Sequence, residues 1–151
     1  MIPRRSGNHH KGDAGHLVIF AGSRGKPGAA ILACRAAVRA GVGLCTLGAA
    51  QEILDNLTPA LGEVMGQAVP VNRDGYAAGA KAIDGLLEGK RAIAIGPGIP
   101  KGRGSLKFIL EDMRRFDGTV VLDADALNLV AGHDREVRTA RCRRIMRPHP
   151  G

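Results

Sequence analysis

Residues 16–30 (HLVIFAGSRGKPGAA) leave this chain few ways to fold. An apolar run at residues 17–21 is followed by three glycines within residues 22–28. An unbroken apolar run bounded by glycines predicts a strand covered on both faces, as in a parallel sheet. Glycines let the backbone approach a ligand closely, and the first amides of a following helix favour an anion. We therefore expect a buried strand, a turn that faces a ligand and then a helix.

This turn does not match the known phosphate-binding fingerprints. Its glycines are spaced G-x-x-G-x-x-G, whereas the dinucleotide fingerprint is G-x-G-x-x-G. A P-loop is absent because Lys26 is followed by Pro27. On its own, the turn is equally compatible with a tight connection that binds no ligand.

The alternation of apolar runs and helical patterns continues along the chain. Strands are predicted at residues 17–21, 43–48, 91–95, 119–123 and 144–147, and helices at residues 28–40, 51–57, 75–88, 105–115 and 124–131. Residues 63–71 fit a short strand, Pro59 is expected to end the second helix, and Asp74 and Ser105 are expected to cap the third and fourth. Strands alternating with helices predict a three-layer α/β/α fold around a mainly parallel sheet.

Ligands of such sheets bind outside the carboxyl ends of the strands. The turn at residues 22–28, Gly-Pro-Gly at residues 96–98, the pair Asp123 and Asp125, and His149 between two prolines are all expected there. If the chain stays extended, the two carboxylates project to one side, where they would hold Mg²⁺ or orient a polar ligand. The alternative is that one aspartate caps the next helix while the other bonds turn amides.

Composition argues against a membrane protein and a metal site. No apolar run approaches the ~20 residues needed to span a bilayer, and the first residues lack the apolar core of a secretory signal. The three cysteines have no metal-ligand spacing, and Cys34 and Cys45, which lie in apolar segments, are expected in the core. Such cysteine usage predicts a reduced, cytoplasmic setting. The histidines near the N-terminus lack a matching carboxylate or cysteine pattern, and we expect them on the surface. These residues are Cys34, Cys45, Cys142, His9, His10 and His16.

The net charge of +8 raises the question of nucleic acid. Half of that charge lies in residues 133–147, where six arginines face only Asp134 and Glu136. Aromatic residues make up 3% of the chain and tryptophan is absent, so no platform for stacking bases is indicated. We expect a solvated surface and no nucleic-acid partner. A non-catalytic nucleotide- or nucleic-acid-binding module with a basic tail remains an alternative.

Four motifs together carry a more specific signal, because their order and spacing match a known family. They are HKGDAGHLVIFAGSRGKPGAAILACRAAVRAGVGLCTL, AIGPG, VVLDADALNLVAG and RPHPG. The chain resembles the ADP/ATP-dependent (S)-NAD(P)H-hydrate dehydratases of the ribokinase-like superfamily, from about His10 to Asn128 and again at its last residues. The resemblance implies a Rossmann-like fold, with residues 1–15 as an entry arm and residues 16–151 as the N-terminal portion of a single dehydratase domain.

The resemblance also implies a reaction. Family members remove water from the S epimer of hydrated NADH or NADPH, with ADP or ATP as phosphate donor and Mg²⁺. The ring hydroxyl is phosphorylated and phosphate is then eliminated. The substrate-binding residues implied by the resemblance are Gly28, Ala29, Ala30, Gly96, Gly98, Asp125, Asn128 and His149. It further implies the small molecule as partner, a homo-oligomer and a fused or separate epimerase.

The chain departs from the family pattern in three places. Ile99-Pro100 stands where the family has Leu-Gly, and Arg143, Arg144 and Arg147 stand where it has Val, Leu and Thr. The motif Gly-Thr-Gly-Asp, which supplies the anion hole and the catalytic aspartate, does not occur. We therefore expect a truncated domain that lacks the nucleotide-binding half and the catalytic residue, has little or no activity alone, and exposes an apolar edge. A small-molecule kinase of the same superfamily is the alternative enzyme.

Overall fold

The computed structural model describes residues 12–76 and 83–149. Its elements, in chain order, are β1 (His16–Phe20), α1 (Pro27–Arg39), β2 (Leu44–Ala49), α2 (Gln51–Leu61), β3 (Met65–Ala68), β4 (Val71–Asn72), β5 (Gly75–Tyr76), α3 (Asp84–Leu87), β6 (Ala92–Ile95), α4 (Arg103–Arg115), β7 (Thr119–Asp123), α5 (Asp125–Val130), α6 (Asp134–Thr139) and β8 (Arg143–Arg147). Six strands form one sheet in the order β3-β2-β1-β6-β7-β8, and β4 and β5 form a small antiparallel hairpin. Every neighbouring pair in the large sheet is parallel, which confirms the predicted α/β fold.

Two apolar cores lie on opposite faces of the sheet. Because side chains alternate along a strand, Val18 and Phe20 of β1 contribute to one core and Ile19 contributes to the other. Helices α1 and α2 cover the core of Ile19, and α4, α5 and α6 cover the core of Phe20. The molecule therefore has the predicted three layers.

The core beneath α1 and α2 holds two of the cysteines. Cys34 of α1 and Cys45 of β2 are buried free thiols, as predicted. Helix α2 continues to Leu61 with Pro59 inside it, so the prediction that this proline ends the helix was wrong. A proline near the last turn removes a single backbone hydrogen bond, and α2 buries Leu57 and Leu61 on either side of it.

The core beneath α4 is built on three aromatic rings. Phe20 lies edge-on to Phe108, with ring centroids 4.9 Å apart, and Tyr76 lies 4.7 Å from Phe108. Tyr76 belongs to β5 and is 1% exposed, so the small hairpin is anchored on the sheet by this ring.

The predicted helix over residues 75–88 was wrong in its first part. Gly75 and Tyr76 lie in β5, the helix α3 is short, and residues 77–82 lie outside the described chain. Gly75 has a φ of +104°, and a Cβ there would overlap the hydroxyl of Ser105. That hydroxyl accepts a hydrogen bond from the Tyr76 amide at 3.1 Å, so Ser105 lies inside the first turn of α4 and does not cap it. Tertiary packing against α4 has overridden the local helical pattern.

The position of His16 also differs from the prediction. Its Nε2 atom lies 2.7 Å from the Thr46 hydroxyl on β2, and the ring is half-buried rather than on the open surface. Burial, and then the charge of Lys90, lower the pKa of His16. His9 and His10 lie outside the described residues.

None of the helices in residues 12–76 and 83–149 combines the length and the apolar character that a membrane span needs.

Candidate functional site

The loops that follow β1 and β6 are joined at the carboxyl edge of the sheet. The Gly96 amide donates to the Phe20 carbonyl at 3.1 Å, and the Gly22 amide donates to the Pro97 carbonyl at 2.9 Å. Parallel neighbours end at the same edge, so the loops after β7 and β8 lie there too. The structure thus brings together the stretches that the sequence predicted to face a ligand.

Gly96 and Gly98 are required by contacts between these loops. A Cβ at Gly98, which has a φ of +70°, would lie 3.0 Å from the Ala29 Cβ and 3.1 Å from the Lys26 Cβ. A Cβ at Gly96, with a φ of +145°, would overlap the carbonyl oxygen of Asp123. Packing of the chain against itself therefore explains both glycines, and a ligand is not needed to account for them.

The first turn of α1 offers amide donors to the crevice. The helix begins at Pro27, so the amides of Gly28 and Ala29 have no acceptor within the helix, and no described side chain caps them. Gly28 has open space around it. The side chain of Ala30 is buried, and its amide falls within the helical bonding pattern. Of the three predicted residues here, Gly28 and Ala29 present the available donors.

Asp125, at the start of α5, is held by two lysines from two other loops. Its Oδ2 atom lies 2.9 Å from the Lys26 Nζ, and its Oδ1 atom lies 3.2 Å from the Lys101 Nζ. The carboxylate side chain is 13% exposed, while both lysine side chains are largely exposed. Partial burial raises the pKa of Asp125, but hydrogen bonds and charge from the two lysines outweigh it and lower the pKa overall.

Asp123, the last residue of β7, holds a second cluster. Its Oδ2 atom accepts from the Arg147 Nη1 at 3.1 Å, and its Oδ1 atom lies 3.1 Å from the His149 Nε2. Arg147 lies directly opposite Asp123 in the register of β7 and β8. The Arg147 Nη1 atom also lies 3.3 Å from the His149 Nε2 atom, so the carboxylate of Asp123 and the guanidinium of Arg147 both contact the same ring nitrogen. These two contacts hold the imidazole ring of His149 in place at the carboxyl edge of the sheet.

The two aspartates do not share a face. Ala124, between them, has a φ of +47° and is the one described residue other than glycine with a positive φ. That conformation costs about 1–3 kcal/mol. It turns Asp123 towards β8 and Asp125 towards the lysines, so the expected side-by-side carboxylates are not formed.

A preformed magnesium site is therefore not found on this pair. Basic side chains already engage both carboxylates, and within residues 12–76 and 83–149 no group of three histidine, cysteine or acidic side chains is placed to hold a metal ion. The chemistry of this edge is that of carboxylates neutralised by cations, with exposed positive charge outermost.

Asn128 lies one turn after Asp125 on α5 and is exposed. Residues three apart on a helix are neighbours, so its amide lies beside the Asp125 cluster. The sequence analysis missed Lys26, Lys101 and Arg147 as parts of this site. Their signal was modest: each is a basic residue within a few positions of a motif at the end of a strand.

Comparisons with known proteins agree with this architecture. The family model described as NAD(P)H-hydrate dehydratase matches residues 17–151. The ADP-dependent (S)-NAD(P)H-hydrate dehydratase of Bacillus subtilis is 36% identical over 99% of this chain and 50% of its own length. The bifunctional NAD(P)H-hydrate repair enzyme of Moorella thermoacetica is 34% identical over 100% of this chain and 29% of its own length. The chain thus spans half or less of the length of these curated relatives.

Solved structures give the same result. The crystal structure of the Bacillus subtilis ADP/ATP-dependent NAD(P)H-hydrate dehydratase, co-crystallised with ATP/Mg²⁺, has a TM-score of 0.68 and 35% identity over 83% of this chain and 42% of that protein. A ribokinase-like superfamily protein of Enterococcus faecalis has a TM-score of 0.72 at 22% identity, over 88% of this chain and 45% of that protein, which shows a shared fold.

Proposed function

This chain belongs to the NAD(P)H-hydrate dehydratase family, and from that membership we propose that it takes part in removing water from the S epimer of hydrated NADH and NADPH. The observation that carries the proposal is the crevice at the carboxyl edge, where Gly28, Asp125, Asn128 and His149 come shortly after the ends of β1, β7 and β8. In the sequence these residues are spread over 122 positions of chain. In the structure the three strands end at the same edge of one parallel sheet.

Each residue has a role suited to its surroundings. The amides of Gly28 and Ala29 donate to polar groups of the hydrated ring or its carboxamide. Asp125, held ionised by Lys26 and Lys101, and Asn128 line the wall. His149, held by Asp123 and Arg147, contacts the substrate through its imidazole ring. The roles proposed for this chain are binding and orientation, and we assign no catalytic residue to it.

We infer that ADP or ATP, with Mg²⁺, provides the phosphoryl group. The Bacillus subtilis relative is named ADP-dependent, and its crystal was grown with ATP/Mg²⁺. The chemistry is reasonable because hydroxide leaves a carbon poorly, whereas phosphate leaves well. Asp123 and Asp125 are engaged by basic side chains and do not fit a magnesium site, so no step is assigned to them.

The same membership supports three further proposals. We propose that the protein acts in the cytoplasm, that it assembles as a homo-oligomer, and that an epimerase, fused or separate, acts beside it. Relatives such as that of Moorella thermoacetica are named bifunctional repair enzymes, which is the basis for the third.

The test has a binding arm and a reaction arm. The chain is titrated with the S and R epimers of hydrated NADPH, and we expect the S epimer to bind more tightly. The chain is also joined to the remaining half of the Bacillus subtilis relative, which aligns with it over half of that protein. We expect this chimera to regenerate NADPH from the S epimer when ADP or ATP and Mg²⁺ are present.

Three variants serve as checks on the binding arm. Asp125→Asn and His149→Asn are expected to weaken binding of the S epimer, and Asp117→Asn, an exposed carboxylate at the opposite edge of the sheet, serves as the matched control. A chimera that folds but phosphorylates only simple alcohols would support the kinase alternative and overturn the dehydratase proposal.

A further inference from the structure

A second groove lies at the same carboxyl edge, on the other side of the turn after β1. It consists of two adjoining hollows with volumes of about 280 and 810 Å³. Its walls come from the end of β1, the start of α2 and the segment from Val69 to Arg73 that carries β4. Small-molecule sites measure roughly 300–1,000 Å³, so the groove has the size of a nucleotide-scale ligand. None of the residues predicted from the sequence to contact substrate lines it.

The groove combines positive charge with one carboxylate. Arg24 and Arg73 line it, and both are exposed. Glu52, in the first turn of α2, also lines the groove. Val71, which is 37% exposed, adds an apolar surface. Guanidinium groups pair with phosphate in a two-pronged geometry, and a carboxylate in a nucleotide site accepts hydrogen bonds from ribose hydroxyls. An apolar wall suits a base. The donor set therefore matches a ribonucleotide bearing a phosphate.

The groove is physically continuous with the site around Asp125. Pro100 lines the groove, and the next residue, Lys101, pairs with Asp125. The turn after β1 forms the shared wall, because Arg24 faces the groove while Lys26 pairs with Asp125. The groove lies at the end of β2 and His149 lies at the end of β8, which are four strand intervals apart. That distance is roughly 19 Å, too far for one ring and suited to a molecule with two nucleotide halves.

We propose that this groove binds the adenosine-phosphate half of the nicotinamide dinucleotide, with Arg24 and Arg73 pairing with its phosphate. The hydrated nicotinamide half then lies across the turn after β1, beside Asp125 and His149. This inference rests on the proposed function, because it divides the proposed substrate between two adjoining surfaces. It adds Arg24, Arg73 and Glu52 as binding residues.

The test uses separate probes for the two halves. The chain is titrated with NADPH, NADH, adenosine 2′,5′-bisphosphate, AMP and nicotinamide mononucleotide, and the fluorescence of the reduced dinucleotides is free of tryptophan interference because the chain has none. Arg24→Gln and Arg73→Gln are each expected to weaken adenosine 2′,5′-bisphosphate and NADPH about tenfold, the effect of losing one charge-assisted hydrogen bond. Nicotinamide mononucleotide is expected to bind as before.

The control variant is Arg39→Gln, which removes the same charge at the far end of α1, away from the groove. It is expected to leave all affinities unchanged, and circular dichroism checks that each variant folds. NADPH is expected to displace adenosine 2′,5′-bisphosphate, which shows that the two share a site.

The probes also identify which phosphate is bound. A loss confined to NADPH and adenosine 2′,5′-bisphosphate assigns the arginines to the 2′-phosphate, whereas an equal loss for NADH and AMP assigns them to the 5′-phosphate. If Arg24→Gln and Arg73→Gln both bind adenosine 2′,5′-bisphosphate and NADPH as tightly as the unaltered chain, the groove does not hold the adenosine-phosphate half. That result overturns this inference and leaves the proposed function standing. Failure of the unaltered chain to bind any of the dinucleotides, hydrated or not, overturns both.

Discussion

The interior strand β2 and the edge strand β8 belong to the same parallel sheet but are buried very differently. In β2 the residues from Cys45 to Ala49 are all buried, whereas every residue of β8 is exposed, including Ile145 at 53% and Met146 at 48%. Helices α1 and α2 cover one face of β1 and β2, and the aromatic core beneath α4 covers the other face of β1. In the described chain β8 has a partner on one side only. Strand pairing sets position in a sheet, but helices decide burial.

The register of β6, β7 and β8 shows where burial by helices ends on one face of the sheet. Ala94, Val121 and Ile145 lie side by side across β6, β7 and β8, on the face that points away from α4. Ala94 and Val121 are half-buried, whereas Ile145 is exposed. Ile145 and Met146 are therefore exposed apolar side chains on β8, and the three arginines of this strand lie beside them.

The largest effect on stability is expected from truncating one apolar side chain in β2 and comparing it with one in β8. Leu47→Ala removes a fully buried side chain of β2 and should lower the free energy of unfolding by about 3 kcal/mol, from lost transfer energy and the cavity left behind. Ile145→Ala should cost about 0.5 kcal/mol or less, because its side chain is largely in water. Denaturant unfolding of both variants measures the difference.

Equal losses of stability in the two variants would contradict the difference in burial between β2 and β8. A large loss at Ile145 that grows with protein concentration would show that this face is covered by a second copy of the chain. That outcome would support the proposed homo-oligomer and locate its interface on β8.

The second prediction concerns the carboxyl edge, where the loops after β6 and β7 are packed tightly against each other. Gly96→Ala is expected to cost about 2 kcal/mol, because the new Cβ would overlap the Asp123 carbonyl and the φ of +145° is unfavourable for alanine. Gly28→Ala is the matched control, since nothing lies within 4 Å of a Cβ there. Thermal unfolding should separate the two variants by several degrees. Equal melting temperatures would mean that the loops at this edge rearrange freely.

The smallest effect is expected from the pH dependence of Asp125. Its pKa is lowered in the folded state, so its ion pairs stabilise the protein above the unfolded-state pKa of about 4 and lose that effect as the pH falls through the folded-state value. Asp125→Asn should therefore cost about 1 kcal/mol at neutral pH and nothing at strongly acidic pH.

Urea unfolding at a series of pH values measures this difference, with Asp117→Asn as the exposed control. A stability difference between the unaltered chain and Asp125→Asn that stays constant down to acidic pH would contradict the ion-pair account.

The elements that were predicted correctly are those whose pattern is local. Strands at 17–21, 43–48, 91–95 and 119–123 have continuous apolar runs that no other element explains, and each was found within one residue of its predicted bounds. The helix predicted over residues 75–88 failed because Gly75 and Tyr76 are fixed by distant partners in α4 and the aromatic core, and a local period does not contain those contacts.

The candidate site divides in the same way. The sequence placed Asp125, Asn128 and His149 at the carboxyl edge, because strand ends and their motifs can be identified from residues alone. It did not reveal that Lys26 and Lys101 both engage Asp125, since these residues are far apart in the chain. Nor did the sequence show that the positive φ of Ala124 turns the side chains of Asp123 and Asp125 in different directions, because backbone dihedrals are set by the loops packed around them.

The sequence by itself thus determined the fold class, the family and the edge of the sheet at which we propose that the ligand binds, because apolar periodicity and motif order are properties of neighbouring residues. Only the tertiary structure decided which charges pair, which glycines are required by packing, and where the groove beside Arg24 lies. Those features depend on distances between segments that only strand order and helix packing bring together.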